Sequence, residues 1–186
     1  ISWVILCGEF AYKIKKPVQF PFLDASTLER RCWLCEEELR LNRRFAPDLY
    51  IDVVPITREG NRLVVGGTGI PVEYAVRMHQ FDPSQELAAL LDEHAVTPGD
   101  MNSIAQQVAT SHLRAAVAPA DSLFGSFEKV RAPMLDNFTL LRSQLQDPEE
   151  LRQVERLAGW CTDSLARLEP VIRARLRSGM VRECHG

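Results

Sequence analysis

This sequence of 186 residues is poor in the features that usually give a function away. No apolar run approaches the ~20 residues that a bilayer-spanning helix needs, and no charged-then-apolar leader pattern occurs. No membrane association is therefore expected. Acidic and basic residues nearly cancel, 25 against 22, so a net charge of −3 offers no bulk attraction for nucleic acid or an anionic surface. Basic residues at 40, 43 and 44 sit where a helix would end, and they lack the interleaved aromatics of a nucleic-acid surface. Histidines number four and cysteines five, an odd count spread along the chain. Cys32 and Cys35 form a Cys-x-x-Cys pair, but it falls on an expected helix with no second pair or nearby histidine, too few ligands for zinc. Buried, reduced thiols and a cytoplasmic location are the expectation. Glycine clusters only at Gly66-Gly67-Thr68-Gly69, and no helix follows, so this is a hairpin turn and not a phosphate cradle. Repeats and low-complexity tracts are absent.

What is there fits a globular α+β chain of ordinary composition, 46% hydrophobic and 25% charged. Residues 1–7 read as a buried strand, followed by a Gly8-Glu9 turn and a second strand over 10–16. Residues 17–25 read as a loop with Phe20, Phe22 and Leu23 tucked under the next helix. Three more strands are expected over 49–56, 62–65 and 71–77, giving an antiparallel sheet of about five. Met78-His79-Gln80-Phe81 then leaves the sheet. Asp82-Pro83, Thr97-Pro98 and Asp147-Pro148 are cap-then-proline starts for helices at 84–94, 98–116 and 148 onward, the last kinked at Pro170 and ended by Gly179. A further helical stretch spans 127–145. The composition shifts near Phe81, from strand-rich residues 1–81 to helix-rich residues 82–186.

The most informative stretch runs from Phe10 to Arg44. Side chains alternate along a strand, so Ala11, Lys13 and Lys15 share one face, and Phe10, Tyr12 and Ile14 the other. Ser26-Thr27-Leu28-Glu29 then reads as a capping box opening a helix over 27–45, with Ser26 as the cap. Leu28, Cys32, Cys35, Leu39 and Asn42 recur at helical spacing as its buried face. Glu36 flanks that face best; Glu38 is the second choice and Glu37 points further away. A lysine on a strand and a glutamate on the following helix can be arranged so that the carboxylate holds the ammonium extended toward a phosphate. Lys15 shares the face of Lys13 and could take its place. The plain alternative is an edge lysine cluster beside a solvated Glu-Glu-Glu run, as in an unrelated α+β interaction domain.

Phe10-Ala11-Tyr12-Lys13 resembles the Val-Ala-Ile-Lys strand of protein kinases. Val181-Arg182-Glu183-Cys184-His185-Gly186 resembles the opening of the His-Gly-Asp catalytic loop of aminoglycoside-phosphotransferase-like kinases. Tyr12-Lys13-Ile14-Lys15-Lys16-Pro17, the run from Cys35 to Arg44, Val53-Val54-Pro55-Ile56 and Val72 to Met78 are similar to bacterial members of that family, of the type often fused to a C-terminal P-loop domain. The resemblance is specific over the first 80 or so residues and at the last few. It implies a protein-kinase-like two-lobed fold: residues 1–81 as the small lobe without its first strand and glycine-rich loop, and residues 82–186 as part of the helical lobe. It implies ATP as cofactor, with Lys13 on the phosphates, Glu36 orienting Lys13, Ala11 leaving room for adenine, and Met78, His79 and Gln80 as the hinge. His185 would open the catalytic loop, with the catalytic aspartate and the Mg2+ ligands beyond Gly186. The expectation is a segment of a longer protein with both ends missing, unable alone to transfer phosphate. In the whole protein, an ATP-dependent phosphotransferase acting on a hydroxyl-bearing small molecule is implied, or else a nucleotide-binding pseudokinase or regulatory module.

Overall fold

A computed structural model describes residues 1–20 and 22–184. It is an α+β protein whose elements fall into two compact units, residues 1–111 and 112–184. The first unit carries a five-stranded antiparallel sheet, built from β1 (Ser2–Cys7), β2 (Phe10–Lys15), β5 (Tyr50–Glu59), β6 (Arg62–Val65) and β7 (Pro71–His79) in the order β1-β2-β7-β5-β6. A two-stranded ribbon, β3 (Gln19–Phe20) with β4 (Leu23–Asp24), replaces the expected loop. Phe20 and Phe22 are not tucked under a helix. They are exposed and stack on each other at 5.4 Å.

Helix α1 (Leu28–Asn42) lies against β2, β5 and β7. Its cap is Thr27, one residue later than the Ser26 expected: Thr27 Oγ1 accepts from the Arg30 amide at 3.3 Å. Ser26 is diverted because its amide and hydroxyl both donate to Asp24 Oδ1, at 3.0 and 2.7 Å. The buried stripe is correspondingly turned. Arg31 and Cys35 are the buried residues, with Leu28, Cys32, Glu38, Leu39 and Asn42 half-buried around them.

The sheet core is Val54, Ile56 and Ala75, with Tyr12 and Ile14 packed on it. Strand β1 is not buried as expected. It is the sheet edge, and Trp3, Val4, Ile5 and Leu6 are all exposed. Strand β7 runs further than expected and holds Met78 and His79 in register with Ala11 and Phe10. The glycine cluster turns the chain between β6 and β7, with Gly66 at a φ of 73°. A Cβ at Gly67 would lie 2.1 Å from Thr57 Oγ1, so the close approach requires glycine there.

The expected helix at 84–94 is split into a 3-10 turn (Pro83–Gln85) and α2 (Leu87–Asp92), and α3 is Pro98–Arg114. Thr97 and Asp100 cap α3 reciprocally: Thr97 Oγ1 accepts from the Asp100 amide at 3.2 Å, and Asp100 Oδ2 from the Thr97 amide at 2.9 Å. In the second unit, α4 (Phe127–Gln144) packs on α5 (Pro148–Arg177), which continues through Pro170 as one element. Val154, Ala158 and Leu165 are its buried residues. Gly179, at a φ of 70°, follows the helix. No helix among the described residues is long and apolar enough to cross a membrane.

Candidate functional site

Two rows of cross-strand partners define one face of the sheet. Leu6, Ala11 and Met78 are mutually in register, as are Val4, Lys13 and Val76. Pairing partners point to the same side, so Leu6, Ala11 and Met78 form an apolar row beside the lysine row. Ala11 is buried, while Leu6 and Val4 are 64% and 57% exposed. The opposite face carries Phe10 and Tyr12, whose rings meet edge-on at 6.4 Å, and Arg77, which stacks over Phe10 and pairs with Asp52 at 2.6 Å.

Glu38 of α1 reaches the lysine row. Lys13 Nζ donates to Glu38 Oε1 at 2.8 Å, and Lys15 Nζ donates to Glu38 Oε2. One carboxylate thus serves two ammonium groups, one on each oxygen, and the trio keeps a net positive charge. The Glu38 side chain is 9% exposed, Lys15 14% and Lys13 33%, so Lys13 is the member most open to solvent. Burial by itself pushes the Glu38 carboxyl up, but the hydrogen bonds from Lys13 and Lys15 outweigh it and hold the group below its ordinary value. Burial, reinforced by the Glu38 charge, raises the Tyr50 hydroxyl from β5. One turn back on α1, burial raises the Cys35 thiol to about 11, with Lys15 opposing and Glu38 adding to the rise. A cavity of about 470 Å³ adjoins the trio, lined by Lys13, Lys15 and Glu38 and walled by Trp33, Leu41 and Phe45 among others.

Of the residues expected at the site, Lys13, Lys15 and Ala11 come together on this face. Glu36 does not join them. At about 100° per residue it falls roughly 130° round α1 from the line of Arg31, Cys35, Glu38 and Asn42, and it accepts instead from Cys32 Sγ at 3.8 Å. Glu37 pairs with Arg40 at 2.6 Å. Met78 lines the face, but His79 packs on Phe10 at 5.6 Å. The stretch 78–80 does not leave the sheet as expected: the His79 amide donates to the Leu49 carbonyl and the Gln80 amide to the Glu9 carbonyl, each at 2.9 Å. The Gln80 side chain donates to the Gly8 and Phe10 carbonyls at 3.0 and 3.1 Å. His185 lies outside the described residues. Among those described, no cluster of three or more His, Cys, Asp or Glu is arranged to hold a metal ion.

A second charge contact, not expected from the sequence, anchors the same helix. Arg31 Nε donates to both Glu73 oxygens, at 2.9 and 2.8 Å, and its Nη1 to the Ala25 and Ser26 carbonyls, tying the first half of α1 to β7. Its signal was present: Arg31 and Glu38 stand seven residues apart, two turns on the same helical face.

No family model and no solved structure matches the chain. It is 26% identical over 182 residues to two uncharacterized proteins of Mycobacterium tuberculosis, from strains CDC 1551 and H37Rv, and to one of Mycobacterium bovis, covering 98% of this chain and 35% of each relative. The chain therefore spans about a third of the length of the curated relatives it matches.

Proposed function

We propose that this chain is part of an ATP-dependent phosphotransferase of protein-kinase-like fold, acting in the whole protein on a hydroxyl-bearing small molecule. The observation that carries the reading is the Lys13–Glu38 pair, held 2.8 Å apart between strand and helix beside the small residue Ala11. In phosphoryl transfer the protein contributes positioning and charge neutralisation rather than covalent chemistry. Lys13 would contact the phosphates of ATP, and Glu38, not Glu36, would hold it extended until they bind. Leu6 and Met78, flanking the buried Ala11, offer apolar surface of the kind a purine ring covers. With the amides of His79 and Gln80 already bonded, the adenine edge would find its partners elsewhere. The sheet residues 1–81 would serve as the small lobe and residues 82–186 as the start of the helical one. The donor set fits ATP better than magnesium, because the described residues supply no clustered carboxylates.

Titration of the full-length protein with ATP, followed by calorimetry, tests the reading. Micromolar to millimolar binding that Lys13→Met weakens at least tenfold is expected. No detectable ATP binding, or equal binding by Lys13→Met, overturns it.

A further inference from the structure

Resting on that reading, we infer that Lys15 is a positioning residue: it is the standing counter-ion of Glu38, and so frees Lys13 to leave Glu38 for an incoming anion. The two lysines occupy different oxygens of one carboxylate, so neither has to displace the other. They differ in access. Lys15 is 14% exposed and Lys13 33%, so the outer lysine is the one that can exchange partners. With a single lysine, moving that lysine to a phosphate would strand a carboxylate that is only 9% exposed, and an uncompensated buried charge is strongly unfavourable. With two, Glu38 stays paired throughout, and the net positive charge of the trio is available to the ligand. The groups facing Glu38 from the packed elements are these two lysines of β2, Tyr50 of β5 and Cys35 of α1.

The test measures ATP affinity in the full-length protein for four variants. Lys15→Met is expected to weaken binding roughly tenfold, because Lys13 becomes the sole counter-ion of Glu38. Lys15→Arg, which keeps the charge and the donor, restores most of the affinity. Lys15→Met combined with Glu38→Gln also regains affinity over Lys15→Met alone, since no carboxylate is left to strand; a merely structural Lys15 would make the double variant worse. Wild-type affinity in Lys15→Met, or a double variant weaker than Lys15→Met, overturns the role of Lys15. Absence of ATP binding in the unaltered protein overturns instead the phosphotransferase reading on which it rests. Lys13→Met run alongside separates the two: its loss of binding with Lys15→Met unaffected leaves Lys13 as the phosphate group and removes Lys15 from the site.

Discussion

Replacing Glu38 by glutamine keeps the side chain's shape and removes its charge. The amide can still accept from one lysine, but its NH2 group then faces the other, donor against donor. Lys15, 14% exposed, loses a charge-assisted hydrogen bond of the kind worth about 1.5–3 kcal/mol. Lys13 is one-third exposed, and its loss is discounted to the surface range of about 0.2–1 kcal/mol. The sum, about 2–4 kcal/mol, should appear where α1 meets β2. Native-state hydrogen exchange of the α1 amides reads this locally, without requiring the two units to unfold together. An acceleration of roughly thirtyfold to a hundredfold or more is expected. Glu36→Gln, on the outer flank, should change the same amides by less than about twofold. If Glu38→Gln changes them by less than twofold, or if Glu36→Gln matches it, the helix is not held by this carboxylate and the geometry derived for the site is wrong.

Two further predictions follow from protonation. Because the Glu38 carboxyl is held below the ordinary 4.5, the stability it contributes is complete above that pH and is lost as pH falls through the lowered value; the exchange difference between the unaltered protein and Glu38→Gln should shrink under acid, and a difference that widens refutes the pairing. Burial raises the Cys35 thiol to about 11, whereas Cys7 is exposed on the edge strand, so iodoacetamide at pH 8 should alkylate Cys7 and spare Cys35 in the folded protein; mass spectrometry showing equal labelling would refute the burial of Cys35.

The sheet was legible because its strands alternate and are punctuated by Gly8, Gly66 and Pro17. The register that brings Ala11 beside Met78 was not, since nothing local in either strand specifies its partner. The lysines were legible as a face of β2. The glutamate was less legible: a stripe traced by apolar residues alone omits Arg31 and Glu38, whose burial turns the inner face of α1 away from Glu36. Charged residues are rarely buried unless paired, and the partners that pair them, Glu73 and the two lysines, are distant in sequence. Strand β1 misled for the opposite reason: an apolar run reads as interior, but its composition cannot reveal that it ends the sheet.

The two ties of α1 carry opposite signs at opposite ends. Near its start a guanidinium meets the Glu73 carboxylate, and near its finish a carboxylate meets two ammonium groups. Laid down back to front on the same strands, the helix would set Arg31 against Lys13 and Lys15 and Glu38 against Glu73, like against like at both ends. The contacts thus work as a polarity key, rejecting the reversed docking that an amphipathic stripe alone would tolerate.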